Sequence, residues 1–266
     1  LSAFETRDWP PGQRHTENDH YTYFLPFMQH SLPLIYHDDH LLVFNKPAGL
    51  LSVPGRGEAN FDSLTSRAQA VFPEALVVHR LDMATSGLIV MARSLEVQRF
   101  LSLAFAERRV HKRYVAVVQG ALQASTGWHT VNAPLLVDWP NRPRSKICPE
   151  GKPSVTRWRI VSQQNPCVGL ADAAQLPEST HTIVELEPIT GRSHQLRVHM
   201  LSLGHCIVGD TLYGDAHTIA MAPRLLLHAW QLHLPHPNGS TLELDCPTSF
   251  DVCTDLPNYE IRANGG

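Results

Sequence analysis

The chain has 266 residues and a mass of 29.7 kDa, enough for one large domain or two small ones with a sizeable core. A net charge of -3 and a pI near 6.6 exclude a uniformly basic coat, so a polyanionic partner has to be gripped by a local patch. Five scattered cysteines (Cys148, Cys167, Cys206, Cys246 and Cys253) without C-x-x-C spacing fit reduced thiols better than a disulfide framework, and without a membrane-length apolar run or a signal peptide the protein is expected to be soluble and cytoplasmic, with no membrane partner.

Residues 1–33 mix Pro, Gly, His and charges without a period and read as an irregular N-terminal extension, too short to fold alone. The domain proper is expected over 34–250, opening with a hairpin: Leu34-Ile35-Tyr36, a turn at Asp38-Asp39-His40, then Leu41 to Phe44 running into Asn45-Lys46-Pro47-Ala48-Gly49. Ser52 to Gly57 reads as a loop and Ser63 to Val71 as a helix. Val77 to Arg93, V-V-H-R-L-D-M-A-T-S-G-L-I-V-M-A-R, flanks a polar centre with apolar runs. It predicts a hairpin that carries Asp82 on a rigid rim before a Thr85-Ser86-Gly87 turn. Taken alone, such an Asp caps its own turn more often than it catalyses.

Ser94 is a natural N-cap, and Val97, Phe100, Leu101, Ala104 and Phe105 form one apolar helical face. That helix ends in Arg108-Arg109, and His111-Lys112-Arg113 follow directly, cations that read either as dipole complements and solvated charge or as a phosphate-binding patch. Tyr114 to Val118 predicts a strand. The stretch from Leu135 to Lys152 is rich in Pro and cations and holds Trp139, which fits either a rigid loop or a single-stranded nucleic-acid contact through Arg142, Arg144 and Lys146. Val155 to Val161 and Ile183 to Leu186 predict strands on either side of an aperiodic insertion, 163–180. His194 to Leu203 predicts a helix with two apolar sides that stops at Gly204. Val208 to Gly214 reads as a loop and strand start; Arg224 to Leu234 and Thr241 to Leu244 read as late strands around a Pro235 to Gly239 turn. A polar tail covers 251–266. Many short strands without a β-α-β rhythm indicate an α+β fold with a large, mainly antiparallel sheet.

Three separated strings now carry more than their local reading: H-R-L-D-M-A-T-S-G-L at 79–88, K-R-Y at 112–114 and P-I-T-G-R-S-H-Q-L-R-V-H at 188–199, with R-L-L-L-H-A at 224–229 as a further match. Together and in this order they resemble the pseudouridine synthases of the RluA family. G-L-L-S-V-P-G-R at 49–56 and V-D-W-P-N-R-P at 137–143 look like the RluA branch itself, which acts on both ribosomal RNA and tRNA. The resemblance implies the pseudouridine synthase fold and isomerisation of loop uridines in structured RNA, 23S rRNA and/or a tRNA anticodon stem-loop, by a monomer. Nothing before Leu34 resembles the S4 domain of some relatives, so RNA recognition is expected to fall mainly to the catalytic domain.

The implied reaction detaches uracil at N1, turns it and rejoins it through C5. No electrons leave and no group is added, so the expectation is no cofactor and no metal. By resemblance Asp82 is the catalytic carboxylate, acting by covalent attack or by proton transfer at the sugar, two routes the sequence leaves open. Either needs an ionised carboxylate, and the resemblance sets Arg197 beside it. Tyr114 is implied to stack on uracil and to assist proton removal at C5. Arg80 is implied to enter the stack as the base flips out. Arg108, Arg109, Lys112, Arg113, Arg142, Arg144, Lys146, Arg192 and His194 complete the expected RNA-facing set. His79, His194 and His199 read as hydrogen-bonding framework rather than metal ligands, since no H-E-x-x-H and no thiolate pair accompany them. Two rivals remain: a hydrolase using Asp82, which would need a second tuned carboxylate, and a non-catalytic RNA-binding or RNA-folding protein.

Overall fold

The computed structural model describes residues 32–57, 60–164 and 181–248. Of the expected 1–33 extension all but the last two residues, of the expected 163–180 insertion all but Gln163 and Gln164, which continue a strand, and the 251–266 tail lie outside the described residues.

Among the described residues, one mixed sheet of ten strands organises the fold. Its strands are β1 (Leu34–His37), β2 (Leu41–Lys46), β3 (Leu76–Val77), β4 (Ser86–Ala92), β5 (His111–Gln119), β6 (His129–Asn132), β9 (Val155–Gln164), β10 (His181–Pro188), β11 (Leu227–Pro235) and β12 (Thr241–Asp245). A separate two-stranded ribbon, β7 (Leu135–Val137) and β8 (Ser145–Ile147), stands apart from it. The main path runs β1-β2-β4-β11-β5-β10-β9-β6, with β3 on β4 and β12 on β11. All its pairs are antiparallel except β4 with β11. The expected α+β class with a mainly antiparallel sheet is therefore the fold observed.

The helices are α1 (Leu64–Val71), α2 (Leu95–Ala106), α3 (Gln195–Ser202) and α4 (Ala216–Ala220). Ser63 caps α1 through a reciprocal box with Ser66, and Ser94 caps α2 by accepting from the Val97 amide. The α2 face holding Val97, Leu101 and Ala104 packs with Val90, Leu232 and Leu244. The helix ends at Ala106, before the arginines. His111, Lys112 and Arg113 belong to β5, because their backbone finds partners on β11 as far as His233↔His111. Pairing across the sheet overrides the local chemistry of that basic run.

Asp82 is likewise not on a strand end. β3 stops at Val77 and β4 starts at Ser86, so residues 78–85 form a broad connection between two antiparallel strands. Gly87, expected in a turn, sits inside β4 with φ near +110°, and a Cβ there would lie 2.2 Å from the Ala229 carbonyl oxygen. Glycine is needed because β4 presses its backbone against β11. Gly87→Ala is expected to cost about 3 kcal/mol or more of stability from strain and overlap combined; urea unfolding checks this, and an unchanged midpoint would contradict the close crossing.

The registers place Lys46, Gly87, Ala229, Tyr114, Leu186 and Trp158 in one transverse row across β2, β4, β11, β5, β10 and β9. Strand alternation then sends Tyr114, Ala116 and Val118 to one face, where Leu196 and Met200 of α3 pack. Val115 and Val117 point to the other face with Trp230. On that far side Arg113 and Arg159 pair with Glu185, Arg157 pairs with Glu187, and the three guanidinium groups lie on Trp128.

Candidate active site

Asp82 is held by its neighbours' backbone. Ser52 Oγ accepts the Leu81 amide at 3.0 Å and donates to the Leu81 carbonyl at 2.7 Å. On the other side, the Met83 carbonyl accepts from the Gly49 amide at 2.8 Å and from Lys46 Nζ at 3.0 Å. The Asp82 carbonyl closes a turn with the Thr85 amide at 3.1 Å. With both flanking peptides clamped and its side chain 30 % exposed, the carboxylate is presented at a fixed rim.

Lys46 was not singled out by the sequence, where it reads as a strand-ending residue before Pro47. It is fully buried at 0 % exposure and also donates to the carbonyls of Pro47 and Leu50. Burial pushes its ammonium down to about 7, while the charge of Asp82 works in the opposite direction.

Arg197 lies under Asp82, with Nη1 3.6 Å from Oδ2. Its Nε and Nη2 make a bidentate pair with Asp210 at 2.8 and 2.6 Å, and both side chains are buried. Asp210 Oδ1 also accepts the Leu212 and Tyr213 amides. Burial alone would lower the guanidinium; the hydrogen bonds and charge of Asp210, with Asp82 and Tyr213 adding, raise it above its usual value instead. Arg197 therefore spends one edge on Asp210 and turns its remaining nitrogen to Asp82.

Tyr114 projects from β5 beside this set and packs against both the cluster containing Leu81 and the cluster containing α3. Burial, followed by the charge of Asp82, raises its phenol well above the usual value, so it stays protonated at neutral pH. The sheet, the 78–85 connection and α3 thus bring Asp82, Tyr114 and Arg197 together.

His194 precedes α3 in a left-handed conformation, φ 57°, with Nε2 3.9 Å from Asp82 Oδ2. His199 and His79 are framework. His199 Nε2 meets the Ala133 carbonyl and Nδ1 meets Thr156 Oγ1; His79 Nε2 accepts the Val90 amide while its ring stacks on Phe105. Burial, with Lys112 adding, pushes His79 down to about 3 and keeps it neutral. Unlike the expected two-sided pattern, α3 is buried continuously from Gln195 to Met200, because it lies between the sheet and the polar ties of Gln195 to Thr190, Arg192 and Thr156.

The expected RNA-facing residues fall into several groups. Arg80 is exposed next to Asp82. Arg108, at φ 60°, and Arg109, paired with Glu107, follow α2. Lys112 lies over the Phe105 ring and Arg113 on the far sheet face. Arg142, Arg144 and Lys146 crown the ribbon, with Arg142 stacked 4.1 Å above the 68 %-exposed Trp139 and Lys146 paired with Asp138. Arg192 borders a 280 Å³ cavity between the ribbon and the turn at Gly191 to Ser193.

Among the described residues, no group of three His, Cys, Asp or Glu side chains could hold a metal ion, and Cys148, Cys206 and Cys246 are free thiols. No helix among them is long and apolar enough to cross a membrane. Asp210, the other carboxylate of the set, is committed to Arg197 through both oxygens, so hydrolysis would lack its second tuned acid.

The RNA pseudouridylate synthase family profile matches residues 40–202, which include Asp82, Tyr114 and Arg197. The chain belongs to the RNA pseudouridylate synthase family. As a pseudouridylate synthase it is an isomerase that converts uridine to pseudouridine. This synthase is 48 % identical over 221 residues to the Dual-specificity RNA pseudouridine synthase RluA of Escherichia coli K12, covering 82 % of this chain and 94 % of that one. The Vibrio cholerae protein of the same name is 44 % identical over 230 residues, covering 86 % of each. Human RNA Pseudouridylate Synthase Domain Containing 1 superposes on the synthase with a TM-score of 0.67 at 29 % identity, over 82 % of this chain and 84 % of that one. Human RNA Pseudouridylate Synthase Domain Containing 4 gives 0.60 at 26 % identity, over 81 % and 88 %.

Proposed function

We propose that this pseudouridine synthase has dual specificity, isomerising loop uridines in both 23S rRNA and tRNA anticodon stem-loops, with Asp82 as the catalytic carboxylate, Arg197 as its cation and Tyr114 as the ring against uracil. The observation that carries the catalytic assignment is the geometry at Asp82. Arg197 Nη1 and His194 Nε2 come nearest to the carboxylate at Oδ2, at 3.6 and 3.9 Å, and among the described residues neither carboxylate oxygen is tied up in a hydrogen bond. The partly exposed carboxylate is thus available to the ribose or its proton, whichever route it takes. The phenol of Tyr114 keeps its proton, so its ring serves stacking first and its hydroxyl acts as a donor or proton carrier rather than as an anion. The dual-specificity enzymes from E. coli and V. cholerae support the choice of two RNA classes. A base flipped from an unpaired loop costs only a few kcal/mol, which favours loops over stems.

Unmodified 23S rRNA and tRNA transcripts, incubated with the purified chain and mapped for pseudouridine by reverse transcription, test this reading. Sites in both RNAs are expected; sites in one alone would remove dual specificity, and none would remove the substrate assignment. We further propose that Arg142, Arg144 and Trp139 on the ribbon hold the RNA outside the site, phosphates on the guanidinium groups and a base on the exposed ring. Arg142→Gln with Arg144→Gln should weaken RNA binding and lower the slope of log affinity against log salt by about 1 to 2. A slope equal to wild type would show that these cations face solvent only.

A further inference from the structure

The structure links the ribbon to the catalytic carboxylate through Tyr213, a residue the sequence left inside an unremarked loop. Its hydroxyl accepts the Ser145 backbone amide of β8 at 2.7 Å and lies 2.8 Å from His194 Nδ1. Its ring meets the His194 ring edge-on at 5.6 Å, with the Arg197 guanidinium 5.1 Å from its centre. Ser145 is buried, on the inward side of a ribbon whose Val137, Lys146 and Ile147 are exposed.

The direction of each proton follows from what each group is able to do. A backbone N–H only donates, so the phenol oxygen is the acceptor toward Ser145. Among the described residues the hydroxyl has no other acceptor for its own proton, which therefore goes to His194 and makes Nδ1 the acceptor. An imidazole accepting at Nδ1 carries its hydrogen at Nε2. Nε2 is the atom 3.9 Å from Asp82 Oδ2. The opposite tautomer would aim a lone pair at the carboxylate.

We propose that Tyr213 is a positioning residue for the isomerisation: anchored by Ser145 of the docked ribbon, it fixes the His194 tautomer so that Nε2–H faces Oδ2 of Asp82. The inference rests on Asp82 being the catalytic carboxylate. Arg197 and His194 then flank the carboxylate while its exposed side is left to the substrate, and the 3.9 Å gap closes when the substrate excludes water from the site. Burial lowers the imidazole, Asp82 opposes that effect, and Arg197 reinforces it. Asp210 opposes the effect as well, and the net lowering favours the neutral ring whose single N–H the tautomer directs. The left-handed backbone of His194, uncommon outside Gly though less so for His, Asn and Asp, sets the direction in which that ring leaves the chain.

The test combines nitrogen-15 NMR of the histidines in the resting chain with turnover of a stem-loop RNA by wild type, Tyr213→Phe, His194→Gln and His194→Asn. Glutamine places an amide N–H where Nε2 stands, whereas asparagine reaches only as far as Nδ1. Asparagine also tolerates the left-handed backbone better than glutamine does, so backbone strain predicts the opposite order of activities. The expected NMR result is the Nε2–H tautomer for His194 in wild type and a mixture of tautomers in Tyr213→Phe. The expected kinetics are a kcat about tenfold lower for Tyr213→Phe and about 100-fold lower for His194→Asn, with KM unchanged, and His194→Gln within about threefold of wild type. A wild-type His194 protonated at Nδ1, or His194→Asn as active as His194→Gln, would overturn the proposal. The tautomer is read without RNA, so a failure of the substrate assignment leaves that result standing and is told apart from a failure of Tyr213 to set it.

Discussion

Asp82→Asn is expected to lower isomerisation by about 10³-fold or more while leaving the RNA affinity and the urea midpoint unchanged. The substitution keeps the shape of the side chain but removes both its nucleophilicity and its basicity. The fold has little stake in the charge. Arg197 keeps its two hydrogen bonds to Asp210, and the peptides on either side of residue 82 stay clamped by Ser52, Gly49 and Lys46. Single-turnover kinetics at saturating enzyme separate the chemical step from binding. A variant that turned over at even a tenth of the wild-type rate would return Asp82 to the status of a turn residue.

Asp210→Ala is expected to damage stability first, by about 3 to 5 kcal/mol, because it removes both hydrogen bonds of a buried guanidinium and leaves it only Asp82, 3.6 Å away. It also removes the acceptor of the Leu212 and Tyr213 amides, and with it the shape of the loop that carries Tyr213. Removing both charges separates the two effects. Arg197→Met with Asp210→Ala should regain part of the lost stability, since neither ion is then left alone, yet remain inactive because Asp82 has lost its cation. Urea unfolding with a parallel activity assay reads both quantities. Equal stability of Asp210→Ala and wild type would mean that the buried pair is not coupled, and recovery of activity in the double variant would remove Arg197 from the chemistry.

The residues at the site differed in how far the sequence exposed them. Asp82 and Arg197 could be singled out because each stands inside a long string resembling one family, and Tyr114 because it ends the short K-R-Y between them, although each alone has an ordinary structural reading. Asp210 and Lys46 could not. A buried charged residue leaves no trace in hydrophobic periodicity, and its partners are far away in sequence: Asp210 meets Arg197 across a loop, and Lys46 meets the Met83 carbonyl. Tyr213 was missed for the same reason, since its role depends on Ser145 and His194 arriving from other elements. The α+β class, the helix cap at Ser94 and the Gly204 stop followed from local chemistry and were visible, whereas Ser63, read as the first residue of a helix, is its cap. Where strand pairing decides, local reading failed: the basic run from His111 to Arg113 became part of β5, and Gly87 moved from a turn into a close strand crossing. The short helix α4, capped by Asp215, is too brief to produce a period and went unforeseen.

The central claim is that this site rearranges a uridine instead of cleaving it or merely holding it. RNA carrying tritium at uridine C5, turned over by the wild-type chain, tests that most directly, because forming the new bond at C5 must expel the label. The expected result is tritium released into water in a one-to-one ratio with pseudouridine in the RNA, with no free uracil. Free uracil with the label retained, or full retention despite tight RNA binding, would contradict it.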